Sequence, residues 1–375
     1  MSGLTGEARA DRFARVREAM AAQGIDALLL SLGADLPWLS GYEAMPLERP
    51  TVLVVPADGQ AVLVVPELEA PRVEERGELF SIRPWRESED AVGVVAGLVG
   101  GRRRLAVSDR AWAVLLLELQ RRLPDAAFVP ASRVTGPLRA VKDEAEVAAL
   151  RAAGAAADRV ALALLAGEIA LIGRSEAEVS AEISRRLLAE GHAAVNFAIV
   201  GSGPNAASPH HEASGRVIGR GETVVCDFGG TFRLGGDVGY CSDTTRTVVT
   251  GDPSAALREL YDVLEAAQAK AVAAVAPGVA CEQIDRVARG LITAAGYGER
   301  FIHRTGHGIG VEEHEDPYIV AGNTTPLQPG HAFSVEPGIY LPGLFGARIE
   351  DIVVVSGDGV VPLNVSDHSL HVVEA

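Results

Sequence analysis

The chain has 375 residues with 34 basic and 50 acidic side chains, a formal net charge of −16. An acid excess of that size excludes a surface built for nucleic acid or for anionic membrane, since both need a basic face. At 48% apolar and 22% charged residues the composition is that of a globular protein of about two domains. No apolar stretch approaches the ~20 residues that span a bilayer. The first residues, Met1-Ser2-Gly3-Leu4-Thr5-Gly6-Glu7, lack the basic start and apolar run of a secretory signal, so a cytoplasmic location is expected. Three cysteines, Cys226, Cys241 and Cys281, suit buried free thiols better than a disulfide framework.

Residues 1–135 read as alternating helix and strand. Apolar residues at helical spacing predict a helix over Thr5–Gln23 that stops at Gly24, followed by a buried strand over Asp26–Ser31. The β-branched runs Thr51–Pro56 and Gln60–Pro66, joined by Ala57-Asp58-Gly59, predict a hairpin. Helices are expected near Glu67–Arg76, Glu87–Leu98 and Arg110–Arg122, which makes this region an α/β domain. Residues 136–375 form the second expected domain. A helical connector from Val141 to Leu165 opens it, and Ser175 with Glu178 is a capping-box signature for a helix over Glu176–Glu190. Strands are predicted at Thr223–Phe228, Val238–Val249, Ala332–Tyr340 and Gly346–Val355. Helices are predicted near Pro253–Val275, with Asp252 as N-cap, and Cys281–Ala295.

The chemistry-bearing residues are unevenly spread. The first 135 residues carry a balance of −3 and the remainder −13, and all nine histidines lie between His192 and His371. The acidic C-terminal region holds a pair of mirrored patterns. Glu336 and Glu350 are each seven residues from Gly343, so an antiparallel hairpin centred there sets them face to face, roughly 5 Å apart, where like charges repel. Asp227 and Asp243 are each eight residues from Gly235 in a second such ribbon. Two opposed carboxylate pairs call for a cation, and one imidazole added to four carboxylates suits two first-row divalent ions. His307, within His303-Arg304-Thr305-Gly306-His307-Gly308, is the candidate imidazole. Taken singly, each acid also reads as a solvated strand end and His307 as a hydrogen-bonded loop histidine.

The order of these motifs resembles that of the pita-bread metallopeptidases, the creatinase and methionine-aminopeptidase superfamily, and within it the Xaa-Pro peptidases, aminopeptidase P and prolidase. The resemblance runs through Ser202-Gly203-Pro204-Asn205, Cys226-Asp227-Phe228-Gly229, Tyr240 to Thr247, His303 to Glu315, Val335-Glu336-Pro337-Gly338 and Arg348-Ile349-Glu350-Asp351. It implies a creatinase-like N-terminal α/β domain and an α+β pita-bread catalytic domain. It also implies that Asp227, Asp243, His307, Glu336 and Glu350 hold two divalent ions, manganese or cobalt foremost, zinc or iron as alternatives, with Asp243 and Glu350 bridging. His210 and His314 match histidines that bind substrate and handle protons. Arg348 matches an arginine that orients Glu350 or meets an anionic substrate group, and a structural ion pair with Asp351 is its alternative.

The activity implied by the resemblance is hydrolysis of the peptide bond preceding proline in a peptide or dipeptide, with water activated by the metals and Glu336 shuttling the proton. A homodimer is implied too, with Trp38–Arg49 as a rim. The chain departs from the family pattern at two places. The ribbon between Asp227 and Asp243 is longer than usual, which makes Asp237 a competing ligand by spacing. Tyr318 stands where some dipeptide-restricted prolidases carry an arginine for the substrate carboxylate. A metal-dependent amidohydrolase of a modified amino acid and a non-catalytic peptide-binding homologue are the rival readings; the intact set of candidate ligands speaks against the second.

Overall fold

The computed structural model describes residues 6–236 and 238–374. They form two compact units, one running to Arg139 and taking in the stretch around Gly235, the other starting at Ala140.

In the first unit α1 (Gly6–Ala22) ends just before Gly24, whose φ of 63° reverses the chain into β1 (Ala27–Leu30). A short α2 (Asp35–Ser40) follows, then β2 (Val52–Pro56) and β3 (Ala61–Pro66), joined through Gly59 as the hairpin signal requires. The rest alternates: β4 (Phe80–Trp85), α3 (Ala91–Leu98), β5 (Arg104–Val107), α4 (Ala113–Arg122), β6 (Ala127–Pro130) and α5 (Ser132–Ala140). The strands form one mixed sheet in the order β4-β3-β2-β1-β5-β6. Its inner face, with Leu29, Val54, Val64 and Leu105, packs on Val95 and Leu119 of the helices. The expected helix over Glu67–Arg76 is only a 3₁₀ turn at Ala70–Arg72. Pro71 removes a backbone donor there, and the segment has no apolar stripe to bury.

In the second unit α6 (Glu144–Leu165) and α7 (Glu176–Ala189) both begin with the reciprocal capping box, Asp143 with Glu146 and Ser175 with Glu178. They cover a four-stranded sheet whose long strands are β7 (His192–Ser202), β8 (Thr223–Phe232) and β9 (Tyr240–Val249). β7 was not legible in the sequence, because its alanines and Asn196 carry little strand preference. Next come α8 (Ala255–Ala273) and α9 (Cys281–Ala294). Ser254, not Asp252, caps α8: its side chain accepts from the Leu257 N–H, so Pro253 lies before the helix.

The remaining strands are β10 (Gly306–Gly308), β11 (Glu315–Ile319), β12 (Ala332–Val335), β13 (Gly338–Leu341), β14 (Phe345–Arg348), β15 (Asp351–Val355), β16 (Val360–Pro362) and β17 (His371–Val372). They build a five-stranded sheet, β11-β10-β12-β15-β16, and a β13-β14 ribbon, while β17 edges the four-stranded sheet. Phe333, Val335, Ile339, Ile349 and Val353 pack with α8 and α9 in one apolar core. Among the described residues no helix is long and apolar enough to cross a membrane.

Candidate metal centre

The mirror about Gly343 extends further than one hairpin. β13 and β14 pair Gly338 with Arg348 and Leu341 with Phe345 around Gly343, whose φ is 77°, and β12 and β15 continue the same register from Val335 opposite Asp351 to Ala332 opposite Val354. The ladder is interrupted only where Glu336 and Glu350 lie. There Glu336 N–H donates to the Thr305 carbonyl (2.8 Å) and Glu350 N–H to the Thr245 carbonyl (3.2 Å). The two glutamates leave their own ribbon and turn toward β9 and the strand that carries His307.

The aspartates meet less directly than the spacing about Gly235 predicts. β8 pairs Asp227 with Thr245 and Gly229 with Asp243, so the acids sit diagonally, two residues out of step. Phe232 opposite Tyr240 closes the ladder, and the connection beyond it takes up the difference. An offset of two keeps both side chains on one face of the sheet. Gly229 is required at this crossing, since a Cβ there would lie 2.1 Å from the Ser242 carbonyl oxygen. Asp237, the alternative ligand by spacing, lies outside the described residues.

His307 is the middle residue of β10. Its flanking glycines serve strand packing: a Cβ on Gly306 would meet the Ser334 carbonyl at 1.8 Å, and one on Gly308 the Asp316 carbonyl at 2.2 Å. The imidazole Nδ1 lies 3.2 Å from the Gly308 carbonyl, which leaves Nε2 facing Glu336 Oε1 at 3.3 Å and Asp243 Oδ2 at 3.7 Å. Burial, and then His314, push the His307 imidazole down to about 3, so it is neutral and carries a lone pair. Asp243, His307 and Glu350 each offer an atom within 4.8 Å of the others. Asp227 and Glu336 line the same cavity of about 270 Å³.

The electrostatics of this cavity are suited to a cation. Burial, then neighbouring Glu350 and Asp227, raise Asp243 well above the ordinary carboxylate range. Burial and then Glu336 do the same to Glu350, and burial takes Glu336 up to about 7. Oδ1 of both Asp227 and Asp243 is buried with no hydrogen-bond partner, an arrangement that costs free energy unless something positive faces it. A hard divalent ion meets that donor set.

Arg348 is buried and fully engaged. Its Nη2 lies 2.6 Å from Asp227 Oδ2, Nε donates to Thr245 Oγ1 (3.0 Å), and Nη1 donates to Tyr340 Oη (2.9 Å). Thr245 Oγ1 in turn donates to Glu350 Oε2 (2.6 Å). Arg348 therefore orients one acid of each pair. The ion pair with Asp351 is not formed; Asp351 pairs with Arg246 at 2.8 Å and faces His368 Nε2 at 2.6 Å.

His210 is exposed and lines the cavity. Its neighbour His211 turns away to the Glu176 carboxylate. His314 is also exposed, with its ring centre 3.9 Å from that of His307. Sequence reasoning missed Thr245, Ser334, Tyr340 and Arg304. Ser334 Oγ accepts from His307 N–H and donates to Glu336 Oε1, and only its place two residues before Glu336 hints at that. Arg304 lines the cavity half-buried, its guanidinium 4.6 Å from the Tyr318 ring centre. Lys142, one of only two lysines, is buried with its Nζ 2.5 Å from Glu315 Oε1, beside His314.

Residues 148–357 match the model of metallopeptidase family M24, and residues 12–141 match that of the creatinase/prolidase N-terminal domain. The chain belongs to metallopeptidase family M24. It is 36% identical to an Xaa-Pro dipeptidase of Lactobacillus helveticus, over 93% of this chain and 95% of that one. The crystal structure of dipeptidase PepE from Mycobacterium ulcerans superposes with a TM-score of 0.92 at 44% identity, covering 99% of this chain and 100% of the other. Recombinant prolidase from Thermococcus sibiricus gives 0.90 at 36% identity, over 96% and 97%. As an M24 peptidase with a creatinase-type N-terminal domain, the chain has the expected fold class and hydrolyses peptides; the fold, too, is that of prolidases.

Proposed function

We propose that this M24 peptidase is a metal-dependent Xaa-Pro dipeptidase that cleaves the bond preceding proline. The observation that carries the reading is the convergence of four carboxylates, buried or nearly so, and one neutral imidazole on one small cavity, two of the carboxylate oxygens being unpartnered. Asp227, Asp243, His307, Glu336 and Glu350 would hold two divalent ions. When bound, such ions supply Lewis acidity toward water and toward the scissile carbonyl.

The chain's own groups do the rest. The bond to proline leaves a nitrogen without hydrogen, a poor leaving group until protonated, so a proton must be delivered to it. Glu336, at the cavity wall and hydrogen-bonded by Ser334, is placed to take up and return that proton. His314 and His210, at the open side, are placed to hold the substrate and polarise its carbonyl. Arg348 keeps Asp227 and, through Thr245, Glu350 in position. Family likeness alone supports the further expectation of a homodimer; manganese and cobalt remain the first ions to test.

Two features favour a dipeptide. The cavity, about 270 Å³, lies just below the usual range of small-molecule sites. It also presents a guanidinium, Arg304, that forms no ion pair among the described residues and is held against Tyr318. A cation so placed suits the carboxylate of a free C-terminus. Replacing Arg304 with alanine is expected to raise KM for an Xaa-Pro dipeptide roughly tenfold, the loss of a charge-assisted hydrogen bond, while hardly changing hydrolysis of the C-terminally amidated compound; equal effects on both would remove Arg304 from substrate binding. The function itself is tested by mass-spectrometric assay of Xaa-Pro, Xaa-Pro-Yaa and proline-free dipeptides, with manganese or cobalt and with chelator. Metal-dependent cleavage of Xaa-Pro ahead of the others is expected. Equal rates on proline-free dipeptides would overturn the specificity, and full activity in chelator the metal dependence.

A further inference from the structure

Ser202-Gly203-Pro204-Asn205 and the pair His210-His211 are not explained by the metal centre itself, and both lead to Glu176. This glutamate is the first residue of α7 and its side chain is wholly buried. Its carboxylate accepts from Ser202 N–H (2.8 Å), Ser202 Oγ (2.7 Å), Asn205 Nδ2 (3.0 Å), Ser214 N–H (3.2 Å) and Ser214 Oγ (2.6 Å), with His211 Nε2 at 2.8 Å. These partners enclose one segment, residues 202–214, and an ionised carboxylate, an acceptor at both oxygens, is the side chain that can satisfy them together. Burial works against the charged form, yet the bonds from Ser214, Ser202 and His211 outweigh it and hold Glu176 down at about 2.

The same segment is fixed from the opposite side. The Pro209 carbonyl accepts from Arg348 Nη1 at 3.3 Å, and Arg348 is the residue that holds Asp227. His210 follows Pro209 directly and precedes His211, so it sits between an anchor on the metal-site arginine and an anchor on Glu176. We propose that Glu176 is a positioning residue, which clamps the 202–214 segment so that His210 faces the cavity. The proposal rests on the Xaa-Pro peptidase reading only for the role of His210 in turnover; the clamp itself is independent of it.

The test combines hydrogen exchange with a double-mutant cycle on the full chain. Glu176→Gln keeps the shape but sets an amide NH₂ against a ring of donors. Amide exchange across residues 203–214, followed by mass spectrometry, should accelerate at least about tenfold, with α8, α9 and β15 unchanged. Turnover of an Xaa-Pro dipeptide should fall about tenfold, mainly in kcat, the scale on which supporting groups around a metal site act. In a His210→Ala background Glu176→Gln should cost almost nothing further, because its route to the reaction has been removed. General damage to the fold would instead lower both backgrounds alike. Should Glu176→Gln not fold, Asn205→Ala and Ser214→Ala each remove donors alone and must show smaller losses that again vanish without His210. Unchanged exchange in 203–214, or a loss as large in the His210→Ala background, would overturn the proposal. A wild-type chain that cleaves no Xaa-Pro dipeptide would refute the substrate reading instead, and the exchange result would still decide the clamp.

Discussion

His307→Ala is expected to lower kcat/KM by roughly 10³-fold, as when a centrally placed electrostatic group is lost from a reaction site, with the protein still folded. The imidazole is the only neutral nitrogen donor of the candidate centre, and its Nε2 faces Glu336 and Asp243. Carboxylates alone leave a harder donor set with one ligand fewer, which holds first-row ions less tightly. Elemental analysis should accordingly show fewer ions per chain in the variant than in wild type. His303 supplies the control. It sits in the same cavity, but its Nε2 is taken up by Tyr340 Oη at 2.9 Å and its Nδ1 by the Arg304 carbonyl at 2.7 Å, so His303→Ala should leave the metal content intact. Near-normal turnover in His307→Ala, or metal loss equal in the two variants, would remove His307 from the centre.

The regions of the molecule that were legible in sequence are those fixed by short-range rules. The capping boxes at Asp143 and Ser175, the stop at Gly24 and the turn at Gly343 each depend on a backbone need that few residue types meet. Because Gly343 sets the register, the matching places of Glu336 and Glu350 on the two arms could be counted out from it, but not the break in the ladder that turns both away from their own ribbon. Counting failed for Asp227 and Asp243, since a longer connection has no single centre and its closing pair, Phe232 with Tyr240, is chosen by packing. The links between ribbons were invisible for a related reason. Thr245, Tyr340 and Arg348 form one chain of hydrogen bonds across residues far apart in sequence, and nothing local to any of them says so. The capping box places Glu176 at the start of a helix, where it lies; that its carboxylate organises a segment up to Ser214 is a property of the folded chain.

Removal of the metal should make stability depend on pH in an unusual direction. In the metal-free protein Asp243, Glu336 and Glu350 are held above their ordinary range by burial and by one another. The unfolded chain has lost those protons well below about pH 7, while the folded chain keeps some up through the Glu336 value of about 7, so the folded state binds more protons and its stability falls as pH rises. The buried histidines work the other way, but only lower down. His303 and His331, pushed by burial down to about 4, favour the folded state progressively as pH rises toward 6.5 and add nothing more beyond it. Glu176 is ionised in both states throughout this range. From about pH 6.5, where the histidines stop contributing, up through the Glu336 value of about 7, then, the chelated protein should lose melting temperature.

A divalent ion needs the same carboxylates deprotonated, so it binds more tightly over that interval. The gap in melting temperature between loaded and chelated protein should therefore widen with pH. Glu350→Gln removes one of the competing charges. It should abolish activity yet raise the melting temperature of the chelated protein at the alkaline end by about 2–4 °C for each ~1 kcal/mol of repulsion relieved, and it should narrow the gap. Calorimetry of the two proteins with and without chelator reads all three effects. A chelated wild type that gains stability across the interval, or a Glu350→Gln variant less stable than it, would mean that the acids do not repel one another in the folded chain, and the case for a cation between them would lose its physical basis.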